Sequence, residues 1–321
     1  MNLQQLEYIV AVDECRQFVM AAEKCYVTQA TLSMMIKKLE EELHTVIFDR
    51  SQQPIVPTPT GEKIIAQARL ILSHVNKLKA LVEEEKNGLQ GECKLGIIPT
   101  LAPYLLPLFL HDFLKTYPHI KLRISELTTE EMIERIRKHQ LDAGLMATPI
   151  EGNQLKEIPL FYEQFVVYQV KADRKYHKKY VLASDIDVNR LWLLEEGHCL
   201  RTQIINLCEL KHKTRELHAL DFETGSLEML KKIVESTEGI TILPELAVRY
   251  LSPHQKKWIR FFKPPAPVRE ISLVVHPHFA RINMLNALKK SILSHIPEHM
   301  KSRKQKEIIP TTLSTAPSIE D

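Results

Sequence analysis

The chain has 321 residues, 44% hydrophobic and 26% charged, with a formal net charge of +3. This is the balance of an ordinary globular protein too long for one core, so two or three domains are expected. No run approaches the roughly 18 uncharged apolar residues of a membrane span, and the opening MNLQQLEYIV lacks the basic-then-apolar layout of a secretory signal, so a cytoplasmic protein without a membrane partner is expected.

Leu3, Leu6, Ile9, Val10 and Val12 mark a short amphipathic helix, and a second starts near Arg16 with Phe18, Ala21, Ala22 and Cys25 facing inward. Tyr26-Val27 break the pattern, and Thr28 then caps a third helix. One face of that helix carries Leu32, Met35, Ile36, Leu39 and Leu43; the other carries Gln29, Thr31, Ser33, Met34, Lys37 and Lys38. Two helices, a tight turn and a third helix with a polar outer face predict a helix-turn-helix. Residues 47–60, IFDRSQQPIVPTPT, combine β-branched residues with three prolines and predict a small hairpin, or wing. Charge does not nominate this region: residues 1–60 hold five Lys or Arg against eight Asp or Glu. The reading as a DNA-binding head therefore rests on motif and shape.

Thr60-Gly61 opens a long helix to about residue 86, with Ile64, Ala68, Ile71, Val75, Leu78 and Val82 in heptad steps. A seam this regular predicts a dimerising helix of roughly 40 Å rather than one packed only on its own domain. From Glu92 the texture alternates. Strands are predicted at 94–98, 121–126, 143–147, 164–170, 191–194, 217–222, 240–243 and 271–275. Helices are predicted near 101–116, 129–139, 200–210, 226–236 and 280–295. The fold class is α/β, with two linked subdomains around a cleft. The predicted domains are 1–60, a winged helix-turn-helix; 61–88, a linker helix; and 89–300, an effector domain. Within the last, subdomain I takes about 89–161 and 268–300, and subdomain II about 162–267. Beyond Met300 apolar periodicity stops, so 301–321 is predicted to be a disordered tail.

Two cysteines nine residues apart, Cys199 and Cys208, carry the sharpest chemical signal. Cys199 follows Gly197 and His198, and from Leu200 the apolar residues recur helically, so Cys199 falls at a helix N-terminus, where converging amides favour a thiolate. Nine helical residues span roughly 13 Å, whereas a disulfide needs Cα atoms about 4.4–6.8 Å apart. A helical pair must unwind to join, which makes it a candidate switch. Cys15, Cys25 and Cys93 stand alone among apolar neighbours and read as small buried hydrophobes.

The order of elements resembles the LysR-type transcriptional regulators. The N-terminal likeness runs over LEYIVAVDECRQFVMAAEKCYVTQATLS, IKKLEEEL, FDR and PTPTG. GIIPTLAPYLLP at 96–107, LEEGHCLR at 194–201 with its following Cys208, and GITILPELAV at 239–248 resemble the family's hydrogen-peroxide-sensing branch, the OxyR type. The likeness covers about 1–296. It implies a periplasmic-binding-protein-like effector domain, promoter DNA as partner, a homodimer pairing into a homotetramer, contact with RNA polymerase, and a thiol reductant such as glutaredoxin or thioredoxin. It implies no cofactor, no metal and no enzyme activity. The chain departs from the pattern at Thr202, usually Asp, at His44, usually Gly, and at Ala30 and Met34 on the recognition helix.

The resemblance assigns Cys199 as the peroxide-reactive thiol and Cys208 as the resolving one. It adds Thr100, Thr129 and Arg269 to a pocket in which His198 and Arg201 are also candidates. Thiolate attacks peroxide, so such a site needs donors toward the departing oxygen and a positive charge. Thr129 is explained equally well as an N-cap. For DNA, Gln29, Thr31, Ser33, Met34 and Lys37 are candidates for base edges or phosphates, with Lys38 beside them and Arg50 on the wing. The plain alternative pairs Lys37 and Lys38 with Glu40, Glu41 and Glu42 on a solvated face. Two competing functions stay open at this point. One is a regulator of the same fold gated by a small organic ligand between subdomains; the other is a thiol peroxidase, which has no need of the N-terminal third.

Overall fold

The computed structural model describes residues 1–87, 89–150, 152, 154–170, 180–208, 224–279 and 281–312; of residues 77 and 80–87 it describes only the backbone. The predicted strand at 217–222, the helix end at 209–210, the Val82 position of the heptad seam and the tail beyond 312 lie outside the described residues or side chains. The chain forms two compact units, one of 1–88 with 278–282 and one of 89–277 with 283–321.

The first unit holds α1 (Leu3–Cys15), α2 (Phe18–Lys24), α3 (Gln29–Glu42), the antiparallel β1 (Phe48–Asp49) and β2 (Val56–Pro57), and α4 (Pro59–Asn87). This is a winged helix-turn-helix followed by a long helix. Asn2 and Gln5 form a reciprocal capping box that starts α1, and Thr28 caps α3 as expected. Leu6, Ile9, Val12, Phe18, Leu32, Ile36 and Leu39 close one core, which Phe48, Ile65 and Ala68 join. The start of α4 therefore packs on its own unit, a share of the heptad face that the periodicity does not separate out. Ile71 and Leu78 further along the seam are exposed. Gly61 lies where an added Cβ would meet the Ile47 carbonyl oxygen at 2.0 Å, so the wing is held against the first turn of α4 by the absence of a side chain.

Two ion-pair groups fasten this unit. Arg69 of α4, almost fully buried, reaches Asp13 at 2.9 Å and Glu14 at 2.7 Å on α1. Burial alone would raise Glu14, but Lys24 and Arg69 hold its carboxyl below the ordinary value. Glu40 is not committed to the neighbouring lysines. Its carboxylate accepts from the amide of Ile47 at 2.8 Å and from Arg50 at 2.9 Å, tying the wing to α3.

His44 ends α3 with φ of +49°, and the amide of Thr45 donates to Glu40 O at 3.0 Å. This left-handed helix stop favours glycine, and a β-carbon there costs roughly 1–2 kcal/mol. His44→Gly should stabilise the first unit by about 1 kcal/mol, seen as a higher urea midpoint with unchanged slope; an unchanged or lower midpoint contradicts the strain at His44.

The second unit holds β3 (Gly91–Ile97), α5 (Ala102–Thr116), β4 (Ile120–Glu126), α6 (Thr129–Arg137), β5 (Ala143–Thr148) and β6 (Lys156–Gln169). It continues with β7 (Tyr180–Val181), α7 (Cys199–Leu207), α8 (Leu227–Ser236), β8 (Ile240–Pro244), α9 (Glu245–Val248), β9 (Ile259–Phe262), β10 (Ala266–Val275), α10 (Ile282–His295), α11 (Glu298–Lys301) and β11 (Lys306–Ile308). Strands run in the order β4-β3-β5-β10-β6-β9-β7, with β8 also on β6 and β11 on β10. β3 is parallel to β4 and β5, while β10 is antiparallel to β5 and β6. β6 pairs with β10 along its first part and with β8 and β9 along its last. One long strand therefore serves two α/β subdomains, the periplasmic-binding-protein-like architecture expected from the sequence.

Two expectations need correction. The 191–194 run is not a strand: Leu191 makes only an isolated bridge to Ile240. The segment after Met300 is not wholly without structure. β11 pairs in parallel with β10, and Ile309 is buried. Lys306–Ile308 is too short to show periodicity, so local pattern could not reveal a strand whose partner lies some 40 residues back.

Candidate redox site and DNA-binding face

The site is built around a charge pair at the junction of the subdomains. Arg269 on β10 stands opposite Glu163 on β6 in register. Both side chains are fully buried, and Arg269 Nε donates to Glu163 Oε2 at 2.8 Å. The other carboxylate oxygen accepts from the Leu246 amide at 2.8 Å, in the first turn of α9. Burial pushes the Glu163 carboxyl up, while Arg269 and the Leu246 amide oppose this. The far edge of the guanidinium donates to Thr100, to Oγ at 2.9 Å and to the carbonyl at 3.2 Å. Thr100 thus orients Arg269 and does not cap α5, whose N-cap is Leu101.

Cys199 is the first residue of α7, with His198 as N-cap and Gly197 at φ +88° turning the chain into the helix. Burial raises the Cys199 thiol. The charge of Arg269, the Thr129 hydroxyl and the amides of Leu200 and Ala147 act in the opposite direction and do not overcome burial. The thiol is therefore not held below its ordinary value as expected: a helix N-terminus and a buried arginine are present, but so is the desolvation that burial imposes.

For Thr129 it is the plain alternative, an N-cap, that does not hold. The cap of α6 is Thr128, which forms a capping box with Glu131. The Thr129 hydroxyl is buried without a well-directed hydrogen bond among the described residues, and it acts on the Cys199 sulfur. His198 is buried and meets Glu195 at 3.3 Å. A Cβ at Gly225 would come within 2.6 Å of Glu195 Oε1 and 2.8 Å of the His198 ring. Arg201 is placed elsewhere: its guanidinium donates to the Leu194 carbonyl at 2.7 Å, bracing the loop before α7.

Cys208 is the C-cap of the same helix. Burial alone pushes its thiol up to about 12. Both cysteines are free and half-buried, at opposite ends of a helix roughly 13 Å long. Glu163 escaped sequence reasoning, although a lone carboxylate inside the apolar run FYEQFVV is the signal that could have found it. No group of three or more His, Cys, Asp or Glu among the described residues is arranged to hold a metal, and no described helix is long and apolar enough to cross a membrane.

On α3, Gln29, Thr31, Met34, Lys37 and Lys38 are exposed and Ser33 is half-buried, so one face carries all six. Lys37 lies 3.9 Å from Glu41, with both side chains largely in solvent, a pair that contributes little. Arg50 is drawn back to α3, with its guanidinium over the Phe18 ring at 5.2 Å and against Glu40.

Residues 3–62 match the family model described as "Bacterial regulatory helix-turn-helix protein, lysR family", and 86–296 match "LysR substrate binding domain". The chain is 33% identical over 308 residues to the hydrogen peroxide-inducible genes activator of Dickeya chrysanthemi, covering 94% of this chain and 97% of that one. It is 32% identical over 302 residues to the DNA-binding transcriptional dual regulator OxyR of Escherichia coli K12, covering 93% and 97%. A full-length OxyR variant from Pseudomonas aeruginosa superposes with a TM-score of 0.77 at 33% identity, over 92% of this chain and 99% of that structure. The chain belongs to the LysR family of bacterial helix-turn-helix transcription regulators.

Proposed function

We propose that this chain is a hydrogen-peroxide-sensing transcription regulator, switched by a reversible Cys199–Cys208 disulfide and controlling oxidative-stress genes. The observation that carries it is the placement of Cys199 at the N-terminus of α7, under Arg269 and Thr129, with Cys208 at the other end of the same helix. The names of the relatives, hydrogen peroxide-inducible genes activators, support the same reading.

The chemistry runs in two steps. The Cys199 thiolate attacks one peroxide oxygen; the O–O bond breaks, Cys199 becomes a sulfenic acid and the second oxygen leaves as water after protonation. The Cys208 sulfur then attacks the sulfenic sulfur, forming the disulfide and releasing a second water. Thr129 and Arg269 are placed to favour the thiolate and to steady the departing oxygen. Thr100, through Arg269, and His198, next to Cys199 in the chain, hold the pocket; Arg201 braces its loop. A cellular dithiol such as thioredoxin or glutaredoxin returns the pair to thiols.

The helix spacing makes closure a refolding step, the two-state element a switch requires. Exposed Ile71 and Leu78 on α4 fit a dimer seam, and pairing of dimers gives a tetramer. Refolding at α7 reorients subunits and respaces the heads, whose α3 faces meet promoter DNA through Gln29, Thr31, Ser33, Met34, Lys37 and Lys38, with Arg50 at the wing. The regulator works in the cytoplasm with RNA polymerase.

The raised Cys199 thiol sets a pH dependence. Because the protonated form dominates near neutrality, alkylation and peroxide oxidation of Cys199 should accelerate about tenfold per pH unit from about pH 6 to 8, without a plateau. Thr129→Val should slow both by about fivefold. Stopped-flow peroxide kinetics read both, and a plateau below pH 7 would show instead that the pocket ionises the thiol. The function itself is tested by non-reducing mass mapping after brief micromolar peroxide. The Cys199–Cys208 peptide pair should appear first; if the two stay unlinked while Cys15, Cys25 or Cys93 reacts, the proposed switch is wrong.

A further inference from the structure

The C-terminal segment forms a strap over the same helix. β11 lies along the start of β10, with Ala266 opposite Lys306 and Val268 opposite Ile308. The Ile309 amide donates to the Val268 carbonyl at 2.9 Å, one residue before Arg269. From there the chain crosses α7. Gln203 Nε2 donates to the Ile309 carbonyl at 2.8 Å, and Asn206 Nδ2 donates to the carbonyls of Pro310 at 3.1 Å and Thr312 at 2.8 Å. The Thr311 hydroxyl then donates to Pro149 O, just beyond β5. Gln203 and Asn206 are three residues apart and share a helix face. Gln203 and Ile309 are buried, so this is a packed contact and not a surface graze. The strap touches α7, β10 beside Arg269, and the end of β5 near Ala147, three of the walls around Cys199.

We infer that Gln203 and Asn206 are positioning residues that hold α7 helical through this strap and thereby oppose closure of Cys208 onto Cys199. This rests on the proposed disulfide switch. The reasoning is geometric. Cys208 can approach a sulfenic acid at Cys199 only if the helix between them unwinds. Asn206 lies two residues from Cys208, and its amide can keep both strap carbonyls only while the last turn of α7 persists. The contacts exist in the reduced form and must be given up on the way to the disulfide, so they favour the reduced form and slow closure, while leaving the first oxidation untouched. By linkage, oxidation must loosen the strap to the same extent that the strap resists oxidation. The buried Gln203 Oε1 finds no partner among the described residues. The reduced arrangement at this point is therefore held by the amide nitrogen alone, which suits a contact that has to release.

The test separates the two steps in the full chain. After a peroxide pulse, quenched samples are mapped by mass for Cys199 sulfenic acid, trapped with a cyclic dione, and for the Cys199–Cys208 disulfide. Asn206→Ala should form the sulfenic acid at the wild-type rate and close the disulfide at least about fivefold faster, the size expected for losing one or both of its hydrogen bonds to the strap. A chain ending after Lys304, which also loses the Gln203 contact, should form the sulfenic acid at the wild-type rate and close at least as fast as Asn206→Ala. Asn206→Ala placed in the shortened chain should add nothing further, since its partners are gone; a variant acting only by general destabilisation would add. If the variants close the disulfide no faster than wild type, the strap inference is wrong while the switch stands. If wild type never forms the disulfide, the switch itself fails and the strap inference with it. Should the shortened chain not fold, Asn206→Ala in the full chain still decides.

Discussion

The second unit is organised around one buried charge pair. Arg269 and Glu163 face each other across β10 and β6 with no exposed surface on either side chain. A buried guanidinium is tolerable only if nearly every donor is used, and here the carboxylate of Glu163 and both oxygens of Thr100 take them. Removing either charge would leave the other buried and alone, a loss of about 3–5 kcal/mol. The position of the pair explains its cost. β6 passes from its pairing with β10 to its pairing with β8 and β9, one on each edge, within a residue or two of Glu163, so the pair marks where the subdomains are joined. The same cation that anchors the joint is the one that acts on the Cys199 thiol.

That shared role shapes the chemistry. Burial desolvates the sulfur, and here it outweighs the favourable groups. The site therefore depends on what it offers the developing thiolate and the leaving oxygen rather than on a thiol ionised at rest. Cys208 has no such opposing groups, and burial is the only influence on its thiol. A thiol of that kind is a poor nucleophile in place, and it can reach the sulfenic sulfur only once the end of α7 opens. Resolution and unwinding are then the same event, and whatever steadies α7 governs how easily oxidation becomes a conformational signal.

Much of this was legible in the sequence, and the exceptions share a cause. The helices α1 to α3, the cap at Thr28, the wing and the long α4 follow from local periodicity, capping and proline placement. The strands β3, β4, β5 and β8 were visible as short apolar runs. Cys199 at the start of α7 followed from GHC and the helical spacing of Leu200, Ile204 and Leu207. The structure departed wherever long-range partners decide. β6 and β10 are much longer than their apolar stretches because each serves several neighbours. β11 exists only through β10. Thr129 looked like a cap because the adjacent Thr128 is indistinguishable from it by type. Arg201 looked like a pocket cation because its carbonyl partner at Leu194 is invisible to residue pattern. Glu40, one of three consecutive glutamates, gave no sign that it alone would hold the wing.

The central claim is that joining Cys199 to Cys208 requires α7 to give up its helix. Amide hydrogen exchange over residues 201–208, compared between fully reduced protein and protein whose disulfide has been verified by mass, measures this directly. Protection at these amides should be strong in the reduced protein and fall by at least about tenfold once the disulfide is present. Undiminished helical protection in the disulfide form would contradict it, because about 13 Å of intact helix cannot be spanned by one sulfur–sulfur bond.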